Sequence, residues 1–462
     1  MHRSRITLLC AAATSTLVLA GTASAAGGGG LFSHDALSQG AAALSQQVAL
    51  NAGGRAVNFD VLGHEDFGAG GFNADVWGHK GFAYVGVWGA GPDACPATGV
   101  KVADIRNPAA PAWVSSLDIP DGTTGEDVVV RSVRAARPGQ WSGDLAVVGI
   151  QACDIFADVP RGLMFFDVTN PASPVTLGFW DAPFPDLGCH EVDLVQAVGG
   201  RVLAACANPF STFLSGAPEV SIVDATNPNS PVTLGTWTYD TFVEIGCFGA
   251  TFAHSVRFFD GGRILFASMW DAGTFELGLA NPAQPRVRGV ARIAPPDEDG
   301  DNHSMTPAGP SGELEIINPE DFSPFDEGVF CEGDFNGWGD AWIVDRSSPR
   351  RPHVLGHFAT PNAASKRTDG VYSVHNTEMV GSYDAFSSWY SDGIVWWNLQ
   401  NPAAPALRGQ FVPPAAEDPF GFFPPVPLVW GVLPYGAEAG TPLILASDIN
   451  SGLWIVRPHM TP

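Results

Sequence analysis

Four histidines open short apolar strands at comparable places: GCHEVDLV (188–195), FAHSV (252–256), DNHSM (301–305) and SVHNT (373–377). Neutral imidazole is the commonest protein metal ligand and suits zinc, copper, iron and nickel. Held at one point, His190, His254, His303 and His375 would bind a single transition-metal ion. They are too far apart along the chain for any local metal motif, so the fold must bring them together.

A repeat supplies the means. A strand followed by N-P-x-x-P recurs in GVKVADIRNPAAP (99–111), GLMFFDVTNPASP (162–174), EVSIVDATNPNSP (219–231), GTFELGLANPAQP (273–285), DAWIVDRSSPRRP (340–352) and GIVWWNLQNPAAP (393–405). The first residues of these turns lie 53 to 67 apart, the period of one four-stranded propeller blade with its loops. Proline fixes φ and cannot donate to a ladder, so two prolines three apart end one strand and begin the next. Each unit is a small antiparallel sheet, apolar on both faces and stable only when stacked on its neighbours.

A seventh third strand, GLWIVRP (452–458), lacks the continuation that the other six have. AVNFDVLGHEDF (56–67) matches PHVLGHF (352–358) and reads as the missing partner. The expected fold is therefore all-β: a seven-bladed β-propeller closed by an N-terminal strand that completes the last blade. These -IVD- and -FFDV- strands with their N-P-x-x-P turns resemble the LVIVD-repeat family of bacterial secreted β-propellers, over about residues 56–458. The resemblance implies the architecture and no single chemistry.

In a propeller the first strand of each blade lines the central channel. Aligning first strands back from the turns that follow them puts His190, His254, His303 and His375 at the leading positions of blades 3 to 6. Blade 2 offers Glu126, blade 7 Trp430, and blade 1 Ala74 beside Asn73. Equivalent positions converge on the axis, so the imidazoles would meet there. In geometry alone this resembles the carotenoid-cleavage oxygenases, which hold iron with four histidines on a seven-bladed propeller axis. Metal-bound imidazoles usually donate their second N–H to a carboxylate, and Glu191, Glu378 and Asp301 lie close to the strand heads. Glu126 is expected to be a further ligand or a general base for metal-bound water. Trp430 and Asn73 are expected to line a pocket roofed by the aromatic-rich loops. His34, His64, His79, His357 and His459 read as structural or solvent-exposed.

A second cation site is a candidate in EGDFNGWGDAW (332–342), where Asp334, Asn336 and Asp340 alternate around glycine as in calcium loops. Trp338 occupies a ligand position there and no bidentate glutamate follows, so an acidic surface turn is the competing reading.

The first 25 residues, with arginines at 3 and 5, an apolar run and Ala23-Ser24-Ala25, read as a secretory signal peptide. Residues 26–50 form a leader and 51–462 the propeller. The protein is thus expected outside the cytoplasm, extracellular or periplasmic, as a monomer with no membrane span. Six cysteines follow the signal, an even number for an oxidising compartment; Cys95 and Cys153 occupy the same loop of neighbouring repeats and are the expected pair. The net charge of −25, from 48 acids against 23 lysines and arginines, disfavours nucleic acid and anionic lipid and favours cations.

Among function classes, these residues point first to a mononuclear metal oxidoreductase or hydrolase acting on a small, partly apolar substrate. Copper or iron fits better than zinc, whose catalytic sites usually keep only three protein ligands. The alternatives are a recognition propeller that binds protein or glycan through its loops, and an acidic metal scavenger without turnover.

Overall fold

The computed structural model describes residues 54–460 apart from 70–71, 90–94, 97, 183–186, 210, 212–215, 240–250, 294–299, 323, 325–336, 419–420, 422 and 438–440. The signal peptide and leader read in the sequence lie outside the described residues.

Every N-P-x-x-P segment forms the same hydrogen-bonded turn. The fourth residue donates its N–H to the first carbonyl: Ala110 to Asn107 at 3.0 Å, Ser173 to Asn170 at 2.9 Å, Ser230 to Asn227 at 3.0 Å, Gln284 to Asn281 at 2.9 Å, Arg351 to Ser348 at 2.8 Å and Ala404 to Asn401 at 3.0 Å. Proline at the second position pre-sets the φ that such a turn needs. The acid ending the preceding strand adds an Asx turn: Asp104, Asp167, Asp224 and Asp345 each accept from the backbone N–H two residues on, at 2.8–3.0 Å. The repeat signature is therefore turn chemistry written out in residues.

Seven antiparallel sheets result. Blades 1 to 6 run in chain order, from Asn73–His79 through Ala112–Leu117 in blade 1 to Thr377–Val380 through Ala406–Val412 in blade 6. Blade 7 takes Val429–Tyr435, Leu443–Asp448 and Gly452–Pro458 from the C-terminal end and Phe59–Glu65 from the N-terminal end, with Phe59 opposite Pro458 and Glu65 opposite Leu453. The ring is closed as the sequence predicts. Arg55–Val57 also pairs with Ala406–Val412 as a fifth strand of blade 6, which the repeat count did not foretell. No helix among the described residues is long and apolar enough to cross a membrane.

Blades are held together twice over. Their apolar faces interlock, as where Tyr84, Val100 and Val102 of blade 1 meet Val128, Val148 and Ile150 of blade 2, all fully or almost fully buried. At the rim, the proline carbonyl of one blade's turn sits over the outer strand of the preceding blade. A Cβ on Gly63, Gly178, Gly235, Gly289 or Gly356 would lie 1.7–2.4 Å from the carbonyl oxygen of Pro108, Pro228, Pro282, Pro349 or Pro402 respectively. Blade 1 carries Ser115 at this place, and its hydroxyl donates to the Pro171 carbonyl instead. Blade 7 has no such turn, and the Val57 carbonyl of the N-terminal strand comes nearest to Gly409.

Gly289→Ala should therefore lower the unfolding free energy by about 1–3 kcal/mol through overpacking, and Ser115→Ala by about 1 kcal/mol through a lost hydrogen bond. Denaturant titration of both variants checks this; a Gly289→Ala variant as stable as the parent would refute the rim contact.

Candidate metal centre

The strand heads are tied down by one repeated device. The His190, His254 and His375 backbone N–H groups donate to Ala207, Ser268 and Ser388, at or near the end of the second strand of their own blades, at 2.8, 2.9 and 3.0 Å. His303 and Trp430 instead occupy bulges, where the register between the first and second strands shifts at Asn302/Ser304 and at Val429/Gly431. A bulge re-aims the extra side chain, and here both point to the axis. In blade 3, a disulfide joins Cys189, next to His190, to Cys206 on the second strand, with a sulfur–sulfur distance of 2.09 Å in the Cys95–Cys153 bridge and 2.08 Å in this one. The sequence predicts the first pair and leaves the second unassigned.

The leading residues meet in ring order. Glu126 Oε2 lies 2.6 Å from His190 Nδ1, and Gln151 Oε1 is 3.0 Å from the same nitrogen. The Gln151 side-chain oxygen accepts at Nδ1, while Glu126 lies against the same nitrogen without completing a hydrogen bond, which turns Nε2 toward the cluster. That Nε2 faces His254 Nε2 at 3.0 Å. Two nitrogens bound 2.0–2.1 Å from one ion also lie about 3 Å apart. The His254 and His303 rings are 4.0 Å apart between centroids, His303 and His375 4.1 Å, and His375 and Trp430 4.7 Å.

Two groups have ligand atoms all within 4.8 Å of one another: Glu191, His254 and His303, and His303, Glu320 and His375. Glu191 Oε1 is 3.5 Å from His254 Nδ1 and 3.7 Å from His303 Nε2. Glu320 reaches His303 Nε2 and His375 Nε2, at 3.8 Å each. Neither ring nitrogen of His303 or His375 completes a hydrogen bond, although the His375 and Trp430 backbones lie beside them. An unsatisfied buried polar group costs about 1–3 kcal/mol, so these nitrogens are poised for a ligand the polypeptide does not supply. The four-imidazole set of the sequence reading is thus joined by two carboxylates, with His190 attached through His254.

The electrostatics keep three of the rings neutral. Burial, then the neighbouring imidazoles, push His254 and His303 well below the ordinary histidine value, and burial takes His375 to about 3. Burial raises Glu320 to about 8, against the pull of the Tyr390 hydroxyl that donates to it. Glu191 is raised by burial and by the charges of Asp75, Asp127 and Glu126. Trp270 and Tyr390 hold left-handed φ angles of 48° and 36°, a cost of about 1–2 kcal/mol each, and so place their rings 5.4 and 5.5 Å from His254 and His375.

Other expected residues fall elsewhere. Glu378 points down the channel and pairs with Arg257 of blade 4, with one contact at 3.2 Å. Asp301 acts through its main chain, its carbonyl accepting from the Glu320 N–H at 3.0 Å. Asn73 and Trp430 are buried, at 3% and 6% exposure. Asn73 binds Ile449 O at 3.1 Å and accepts from Lys101 Nζ at 2.8 Å, while Trp430 packs with Phe72, Trp88, Tyr390 and Phe423. The aromatic roof is a packed layer over His375 where a pocket lining was expected. For calcium, Asp334 and Asn336 lie outside the described residues, and Asp340 Oδ2 bonds His357 Nδ1 at 2.8 Å. His64 stacks on Trp454 and His357 on Trp342; His79 and His459 meet Asp144 and Asp60. His34 lies outside the described residues.

Glu320, Gln151 and Tyr390 escaped the sequence reading because they come from second strands, whereas only first strands were aligned. The acid directly after the apolar run of LEIINPE was the available signal for Glu320.

No protein-family model and no curated protein matches this chain. Among solved structures it is similar to the β-propeller domain of Myceliophteria thermophila Cps50 (Swd1), with 11% identity, a TM-score of 0.50, and coverage of 87% of this chain and 100% of that one. The chain is a seven-bladed β-propeller. At that identity the likeness extends to the fold alone.

Metal-free protein should lose stability on both sides of neutrality. The unfolded chain protonates His375 near 6.5 while the folded protein resists to about 3, so its contribution is present above 6.5 and lost as pH falls toward 3. Glu320 runs the other way: its contribution is present below 4.5 and lost as pH rises through about 8. Urea titrations across pH should show the acid-side slope reduced in His375→Phe and the alkaline-side slope reduced in Glu320→Gln; unchanged slopes would contradict the burial of these groups.

Proposed function

We propose that this protein is an exported metalloprotein of LVIVD-repeat type that holds one transition-metal ion on its propeller axis for oxidative chemistry. The observation that carries the reading is the pair of buried groups, each of two imidazoles and one carboxylate, that share His303. Two histidines and one carboxylate leave coordination positions open, a ligand set that serves both non-haem iron oxygenases and catalytic zinc sites; iron, the redox-active member of the pair, is the ion proposed. When bound, the ion would supply Lewis acidity and a binding position for an anionic oxygen species.

The chain's own residues set the conditions. His254, His303 and His375 are neutral and present lone pairs without first losing a proton. Gln151 accepts from His190 Nδ1, and the 2.6 Å contact of Glu126 with the same nitrogen supports a positioning role for Glu126 over that of a general base. Glu191 and Glu320, whose carboxyls burial holds protonated, would release those protons on metal binding and so offset the charge of a divalent ion. The signal-like first 25 residues and the two disulfides support export into an oxidising compartment.

Protein purified without chelator should carry about one metal ion per chain by elemental analysis, with iron predominating. His303→Ala, which removes the residue common to both groups, should lose it; Glu126→Gln should weaken affinity about 10–100-fold while keeping the stoichiometry. Oxygen consumption by the loaded protein then separates an oxidoreductase from a scavenger. Retention of stoichiometric metal by His303→Ala would sink the site.

A further inference from the structure

A cavity of about 900 Å³ runs along the axis on the far side of the histidines from the aromatic layer. It begins one residue beyond each of them, because Glu191, Ser255, Ser304 and Asn376 all line it, and it reaches the surface at Lys80. Blades 1 and 2 add Asp75 and Asp127. The layer next to the cluster thus has three carboxylates and, among the described residues, no cationic side chain.

Further out the charges balance. Arg257 pairs with Glu378, Arg131 lies 4.0 Å from Asp193, and Lys80 and His79 meet Asp144 at 2.7 and 3.0 Å. The basic groups are engaged by these acids, and the Arg257 charge reaches Glu191 as well; burial and mutual repulsion hold the three inner carboxyls above their usual range. Asp75 is oriented by the Asn376 amide at 3.0 Å and Asp127 by the Val192 N–H at 2.7 Å. Glu191 differs: it is nine-tenths buried, and its Oε1 has no hydrogen-bond partner. That same oxygen lies within 3.7 Å of a ring nitrogen of both His254 and His303. Glu191 therefore belongs to the cavity wall and to the metal cluster at once. On the opposite side, among the described residues, Phe72, Trp88, Tyr390, Phe423 and Trp430 pack, all buried, over His375, an apolar layer unfavourable to a hydrated ion.

We propose that the axial channel is the loading path of the metal: a hydrated divalent cation is drawn to Asp75, Asp127 and Glu191, and Glu191 hands it to His254 and His303. The proposal rests on the metal-binding reading above and adds the route. A low-dielectric cleft lined by one sign of charge raises the association rate of an opposite ion by about 10–1000-fold, and salt screens the effect.

The test mixes metal-free protein with cobalt(II) or iron(II) alone and follows tryptophan fluorescence, since Trp430 and Trp270 lie 4.7 and 5.4 Å from His375 and His254. The expected result is uptake of one ion at a rate that falls steeply with ionic strength. An Asp75→Asn/Asp127→Asn variant should load about tenfold or more slowly yet reach the same final stoichiometry. Equal rates in parent and variant overturn the route while leaving the metal site standing. A parent rate independent of ionic strength does the same, and needs no variant to fold. A parent that takes up no ion overturns the metal-binding reading and the route together.

Discussion

Imidazoles packed together away from the protein surface are driven to be neutral, and neutral imidazoles short of hydrogen-bond partners are costly to bury. His303 and His375 are fully buried, and beyond the neighbouring His375 and Trp430 backbones their ring nitrogens meet no hydrogen-bond partner. The rest of the molecule is organised around tolerating that arrangement. A polypeptide that needed only a stable channel would fill these positions with apolar side chains, as blade 7 does with Trp430. A cation placed among the nitrogens would satisfy the lone pairs and relieve the crowding of Glu126, Glu191, Asp75 and Asp127 in the same step.

Holding such a cluster requires a scaffold that does not relax. Rim contacts between glycine and proline carbonyl set the spacing of adjacent blades, and closure of blade 7 by Phe59–Glu65 prevents the ring from opening. Closer to the axis, Ser304 Oγ donates to the His375 carbonyl at 2.9 Å and Asn318 Nδ2 to Ser304 Oγ at 3.0 Å, which joins blades 5 and 6 directly beneath two of the histidines. Blade 3 relies on the Cys189–Cys206 disulfide for the same purpose. Closing a loop of 17 residues restricts the unfolded chain by about 3 kcal/mol, and here it also fixes the residue next to His190.

What could be read in advance follows from how local each signal is. The N-P-x-x-P turns and the Asx turns before them are decided by residues within a few positions, so the blades and their number were legible. The register of His190, His254, His303 and His375 followed because ring symmetry maps equal positions to one axis. Glu320, Gln151 and Tyr390 approach from second strands, whose ends carry no periodic landmark. Glu378 was placed beside the histidines on proximity in sequence, yet it lies two residues past the cavity-lining Asn376 and so meets Arg257. Trp430 and Asn73 were recognised as axial, but whether an aromatic layer leaves a cavity depends on packing that no pattern of residue types encodes.

X-ray absorption at the metal edge of the purified, metal-loaded protein probes the shared centre most directly. Scattering from two or three imidazole rings and one carboxylate, with first-shell distances of about 2.0–2.2 Å, would place the ion among His254, His303, His375 and a glutamate. A first shell made only of oxygen, with no imidazole signature, would put the metal elsewhere and leave the histidine cluster without the role assigned to it.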